Sequence, residues 1–146
     1  MRSPITYPLL KRIFNVLQLI CTNKYEYYLF SSAFLLAYFA LLRAGEITVS
    51  NKNGPDRVLG IKDIEIKASG TVKLRIRMSK TDQLGFGTNI EITPSEESFM
   101  LNELLSEYLR VRPNFQGPLF CHFGGKFLTA YQFAQMLKKM HKPVRN

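Results

Sequence analysis

The chain is short of acid and nearly without sulfur chemistry. Eleven Asp and Glu stand against twenty Lys and Arg in 146 residues, a formal net charge of +9. That excess favours a polyanionic partner, nucleic acid first and an anionic membrane surface second, because each cation placed on a phosphate releases a condensed counterion. A merely basic globular protein is the plainer reading of the same charge. Two cysteines, Cys21 and Cys121, are too few to build a disulfide framework and fit a reducing compartment. The only close Cys/His pair is Cys121-His122, whose neighbouring side chains diverge on a strand, so no metal site and no cofactor are expected. Repeats, low-complexity stretches and flexible linkers are absent too. With 46% hydrophobic and 21% charged residues the composition excludes disorder and suits one unit, 1–146, with one core.

Long hydrophobic runs are also lacking. The uncharged stretch Tyr27 to Leu42 spans sixteen residues. As a helix it rises about 24 Å against a hydrocarbon core of ~30 Å, which makes it a buried core helix and not a membrane span. Arg2, Lys11 and Arg12 precede any acid, as in a transit peptide, but the Lys11-Arg12 pair interrupts the apolar stretch that a secretory signal needs. Neither secretion nor membrane insertion is expected.

The prolines fall outside or at the edges of the periodic segments and divide the chain into elements. Thr6 is placed to cap a first helix with Leu9, Leu10, Ile13, Leu17 and Ile20 at helical spacing. A second, from about Tyr25 to Leu42, is apolar nearly all round and should be central. Between Leu59 and Thr93 the period switches to alternation, predicting three strands. Their inward residues are Ile64 and Ile66, then Val72, Leu74, Ile76 and Met78, then Ile90 and Ile92. Ser69-Gly70 marks one hairpin turn, and Lys80 to Gly87 a longer, glycine-bearing one. Thr93-Pro94-Ser95-Glu96 has capping-box form ahead of a helix with Leu101, Leu104, Leu105 and Tyr108 inward. Thr129-Ala130-Tyr131-Gln132 opens a last helix with Phe133, Met136, Leu137 and Met140 on one side. The class is α+β, mostly helical with a small three-stranded antiparallel sheet.

Two segments carry chemistry. Leu41-Leu42-Arg43-Ala44-Gly45-Glu46-Ile47 is followed, in a strand-to-turn setting, by Met78-Ser79-Lys80-Thr81-Asp82-Gln83. In that order they resemble the catalytic domain of the tyrosine recombinase (phage integrase) family, with its arginine in an L-R-x-x-E motif at a helix end and its lysine on a following β-hairpin. The resemblance covers nearly the whole chain, from Pro4-Ile5-Thr6 to the Thr129 helix. It implies DNA breaking and rejoining, in site-specific recombination or integration, through a 3′-phosphotyrosine. It implies double-stranded DNA as partner, homo-oligomers on DNA in the full-length protein, and a nuclear location in a eukaryote or a cytoplasmic one otherwise.

Phosphodiester exchange needs positive charge where the transition state gathers negative charge, and an acid for the departing oxygen. Arg43 is the candidate clamp, since a guanidinium grips two phosphate oxygens with paired hydrogen bonds. Its bland reading is a cation at a helix C-terminus. By the same resemblance Lys80 is the general acid, which requires a lowered pKa; its bland reading is a solvated hairpin lysine. Glu46 either orients a neighbouring cation or forms a surface ion pair with Arg43. Lys73, Arg75 and Arg77 share the outer strand face and form either a phosphate-tracking stripe or a solvated face.

The family pattern is incomplete within this sequence. No H-x-x-R segment follows, His141 and Arg145 being one residue too far apart, and no tyrosine occupies the late nucleophile position. Core packing is the better reading for most of the seven tyrosines. Asn51 to Gly60 also lengthens the connection between the arginine and the sheet. The sequence therefore reads as a partial catalytic domain, inactive alone, or as a non-catalytic DNA-binding or interaction remnant of a recombinase.

Overall fold

The structure, a computed structural model, describes residues 7–76 and 88–141, without the side chains of Tyr7, Leu9, Ile13 and His141. Thr6, Met78 and the Lys80–Gly87 loop thus lie outside the described residues. Five α-helices and three strands follow in chain order among those described, with short 3-10 turns at Pro55–Arg57 and Ile61–Asp63: α1 (Tyr7–Ile20), α2 (Lys24–Ala40), α3 (Ala44–Ile47), β1 (Ile64–Ile66), β2 (Val72–Ile76), β3 (Thr88–Ile92), α4 (Phe99–Val111) and α5 (Ala130–His141). The sheet is antiparallel in the order β1-β2-β3. The fold is α+β and mostly helical, as the periodicities predict.

Helix α2 is the centre. Leu29, Phe30, Ala33, Phe34, Leu35 and Leu36 are all buried, and so are Ser31 and Ser32, so the helix has no long polar side to turn outward. Asn23 starts it by accepting the Glu26 N–H at 2.8 Å. Around it stand Leu10, Phe14 and Leu17 of α1, Leu101, Leu105 and Tyr108 of α4, and Phe133 and Met140 of α5, in one cluster with Val72, Leu74 and Ile76 of β2. Phe14, missing from the sequence stripe, belongs to it by spacing from Leu10 and Leu17.

Two boundaries differ from the sequence reading. Helix α2 stops at Ala40, two residues early, because Leu41 turns into the left-handed region at φ 56° and Leu42 N–H closes back on the Ala37 carbonyl at 2.9 Å. Helix α4 starts at Phe99 with Ser98 as its cap residue, because the reciprocal side-chain bonds join Ser95 and Ser98, two residues on from Thr93 and Glu96, and close a turn ahead of the helix. Ser98 N–H donates to Ser95 Oγ at 3.0 Å and Ser95 N–H to Ser98 Oγ at 2.9 Å. The Ser69-Gly70 turn is as expected. Gly70 sits at φ 93°, its carbonyl accepts Asn102 Nδ2 of α4 at 2.6 Å, and a side chain there would press on Pro94.

Beyond the sheet, short bridges bind the return from α3 to the segment before α5. Leu59 N–H donates to Glu46 O, Leu119 N–H to Leu59 O, Leu128 N–H to Phe120 O and Val49 N–H to Leu128 O. The C-terminal end of α4 fixes this lattice. Tyr108, fully buried, donates its hydroxyl to Leu119 O at 2.8 Å and accepts Cys121 N–H at 2.9 Å. Arg112 spends its guanidinium on four carbonyls, those of Pro113, Phe115, Pro118 and Leu119.

Burial holds the Tyr25 and Tyr108 phenols protonated well above the usual range. The folded state then binds more protons than the unfolded one above about pH 10, so stability falls as pH rises past the ordinary phenol value. Tyr108→Phe should flatten that alkaline loss in denaturant melts from pH 8 to 11. At pH 8 the same change should cost roughly 1–3 kcal/mol, because Cys121 N–H loses its acceptor inside the core.

Candidate nucleic-acid interface

Arg43 does not sit on the end of α2. It lies in extended backbone, φ −83° and ψ 153°, as the residue immediately before the one-turn helix α3. Arg43 thus stands between the C-terminus of the long helix α2 and the start of α3. The side chain is exposed, and no hydrogen bond or ion pair joins it to another described residue. Glu46 stands one turn on, its N–H bonded to Arg43 O at 2.9 Å, half-buried and making no ion pair with Arg43. The surface-pair reading of Glu46 is thereby removed.

The backbone under Arg43 is held tightly. Arg43 O takes the Glu46 N–H, Ala44 O takes both Thr48 N–H (2.9 Å) and Thr48 Oγ1 (2.7 Å), and Glu46 O takes Leu59 N–H (2.8 Å). Gly45 O accepts the Asn53 side-chain amide, which also reaches Thr48 O at 3.2 Å. Asn53 comes from the segment Asn51–Gly60, and nothing in its sequence context marks it.

On the sheet, Val72, Leu74 and Ile76 face in while Lys73 and Arg75 face out, as alternation predicts. Lys73, half-buried, is in register with Glu65 on one side and Glu91 on the other, and Glu91 is ion-paired with Lys67 at 3.0 Å. The outer face near β1 is therefore mixed in sign. Arg77 and Lys80 lie outside the described residues.

A second polar cluster joins the far end of α2 to α5. The expected Thr129 box forms, Thr129 N–H donating to Gln132 Oε1 at 3.1 Å and Gln132 N–H to Thr129 Oγ1 at 3.1 Å. That bond fixes the amide orientation, so His122 Nε2, 2.9 Å from Gln132 Oε1, is the donor there. His122 Nδ1 meets the Glu26 carboxylate at 2.9 Å in the first turn of α2. Cys121 points the other way into the core, as expected of adjacent strand residues. Cys21 is a poor nucleophile, its thiol pushed up to about 11 chiefly by burial, with Glu26 adding to the shift. Among the described residues no group of three His, Cys, Asp or Glu is placed to hold a metal, and no helix is long and apolar enough to cross a membrane.

No family model matches the sequence. No curated protein matches it either. Among solved structures the chain is similar to the XerH site-specific recombinase bound to difH substrate in a pre-cleavage complex, with TM-score 0.54 and 17% identity over 94% of this chain and 37% of that one. It is equally similar to the same recombinase in a post-cleavage complex with palindromic difH, with TM-score 0.54 and 16% identity over 99% of this chain and 38% of that one. The fold is thus tyrosine-recombinase-like. The chain spans less than two-fifths of the length of those recombinase chains.

Leu41 is 89% exposed in a left-handed conformation, so its side chain buries nothing in return for the strain. The strain costs about 1–2 kcal/mol, and glycine there would relieve it at an entropic cost of roughly 0.5–1 kcal/mol. Leu41→Gly should therefore leave stability unchanged or raise it by about 0.5 kcal/mol in thermal or urea melts.

Proposed function

We propose that this chain is part of the catalytic domain of a tyrosine recombinase and that it binds duplex DNA through phosphates, with Arg43 as its principal phosphate clamp. One contrast carries the reading. Arg112 has all three guanidinium nitrogens committed to carbonyls, whereas Arg43 has a held backbone and an exposed guanidinium with no described partner. A cation on a held backbone, with no partner among the described residues, is suited to an anion that arrives from outside. Similarity of fold to recombinases captured on DNA supports the choice of a phosphodiester as that anion. Glu46 and the hairpin Lys80 complete the assignment as orienting carboxylate and general acid. Assembly of several copies on DNA, and a nuclear or cytoplasmic site of action, belong to the same proposal.

Binding should follow the salt law of phosphate contacts, affinity falling steeply with ionic strength and little with sequence. In titrations of a labelled random duplex at two salt concentrations, Arg43→Ala should weaken binding and make the salt slope shallower by about one. Lys73→Gln should matter less, because Glu65 and Glu91 already flank that lysine. Equal affinity of the unchanged chain at low and high salt, or no binding at low salt, would remove the proposal.

The catalytic half of the reading is narrower. The sequence contains cations for transition-state charge but no H-x-x-R and no late tyrosine, so these residues do not themselves include the attacking group that the reaction needs. Met1–Asn146 alone should give no covalent adduct with a nicked substrate that traps phosphotyrosine, read on a denaturing gel. Tyr131, 72% exposed in the first turn of α5, is the control. An adduct abolished by Tyr131→Phe would show a nucleophile within this stretch. The absent motif equally favours a second reading, a DNA-binding remnant that keeps Arg43 as a clamp without catalysis.

A further inference from the structure

We propose that Asn53 is the positioning residue for Arg43, and that the segment Asn51–Gly60 acts as a clip holding the Arg43 turn in its anion-binding shape. This rests on the phosphate-clamp reading of Arg43 and adds to it the device that sets the guanidinium.

Helix α3 is four residues long and contains Gly45. One turn of helix has paid the ordering of its nucleus and gained almost none of the propagation, so it does not persist by itself, and a glycine inside it adds to the deficit. Its persistence has to come from outside. Its buried end supplies one anchor through Ile47, which is 1% exposed. The other anchor is polar and comes from the clip. Ser50 and Asn53 exchange both backbone hydrogen bonds, at 2.9 and 3.1 Å, forming a tight reversal over Asn51-Lys52 that aims the Asn53 side chain back at α3.

A primary amide has two donor hydrogens, and Asn53 has two acceptors on α3 and its exit, Gly45 O and Thr48 O. Leu59 N–H, at the other end of the same segment, takes Glu46 O. Two carbonyls of α3 that no turn of helix follows, Gly45 O and Glu46 O, are thus claimed by the clip at both of its ends. Arg43 is the residue directly ahead, and its own carbonyl is bonded to Glu46 N–H within the turn so held. Loosening the Gly45 carbonyl therefore frees the hinge from which the guanidinium projects. A paired grip on two phosphate oxygens depends on direction, and an unfixed guanidinium has to be ordered at the moment of binding.

Asn53→Asp keeps the shape and replaces two donors with acceptors facing two carbonyls, while Asn53→Ala removes the bonds without adding charge. Each would be measured alone and with Arg43→Ala for affinity to a random duplex at fixed salt. Amide resonances of Ala44, Gly45 and Glu46 and the Arg43 Nε–H resonance would be followed in parallel, with melting curves to confirm folding. Expected is a loss on the order of tenfold for Asn53→Asp, smaller for Asn53→Ala, with displaced Arg43 and Gly45 signals and no further loss once Arg43 is alanine. Equal losses with and without Arg43 would assign Asn53 a role unconnected to the clamp and overturn the inference. So would unchanged affinity and unchanged Arg43 signals in both Asn53 variants while Arg43→Ala is impaired, an outcome that leaves the clamp reading standing. Arg43→Ala binding as tightly as the unchanged chain would overturn the clamp reading itself, and the positioning role with it.

Discussion

A helix without a polar face has to be covered all round, and the burial of α2 is the constraint on which the rest of this structure depends. Leu29, Ala33, Leu35 and Leu36 are all at 0% exposure, which no single neighbouring layer can achieve. Helices α1, α4 and α5 and the inner face of β2 close around it, so the sheet is small and the helices are placed by what α2 needs hidden. Ser31 and Ser32 are the only polar side chains in the buried run. Ser32 donates across to Leu104 O at 3.1 Å, which ties α2 to α4 at a position where an apolar residue would leave that carbonyl to the helix alone.

With the middle of α2 committed to packing, its chemistry is forced to its ends. At the start, Glu26 reaches out of the first turn to His122 and so to Gln132, joining the starts of α2 and α5 through one imidazole. At the finish the chain must leave a crowded core at once, and it does so by the left-handed Leu41, a conformation that a β-carbon resists. The strain is local to the residue two before Arg43. Straight continuation of α2 would carry Arg43 on the helix surface; the reversal instead sets it in extended backbone, facing solvent, with α3 behind it.

Much of this architecture is legible in the sequence because it depends on local periodicity. The alternation of Val72, Leu74 and Ile76 with Lys73 and Arg75, the turn at Gly70 and the Thr129–Gln132 box each follow from spacing or from a residue's own conformational preference. What the sequence hides is what depends on distant partners. Nothing near Glu26 announces His122, ninety-six residues away, and nothing near Asn53 announces that both its amide hydrogens are taken by α3. The end of α2 is hidden for another reason: Leu41 and Leu42 are good helix formers, yet the helix stops ahead of them in a left-handed cap at Leu41 that their residue types do not announce.

The sign of charge on the sheet makes a similar point about sites. Read along β2, Lys73 and Arg75 form a basic stripe; read across the register, Lys73 lies between Glu65 and Glu91, and Lys67 takes Glu91 at 3.0 Å. Near a protein surface opposite charges a few ångströms apart cancel much of each other's field, so a stripe of cations along one strand does not by itself amount to a positive surface. Arg43 differs from Lys73 in that its neighbours donate N–H groups to the carbonyls of its turn and no described carboxylate meets its guanidinium. Among the exposed cations that the described residues place, Arg43 is the one next to a turn that Asn51–Gly60 holds from both ends, through the Asn53 amide and through Leu59, which is buried in the core with Val58 beside it.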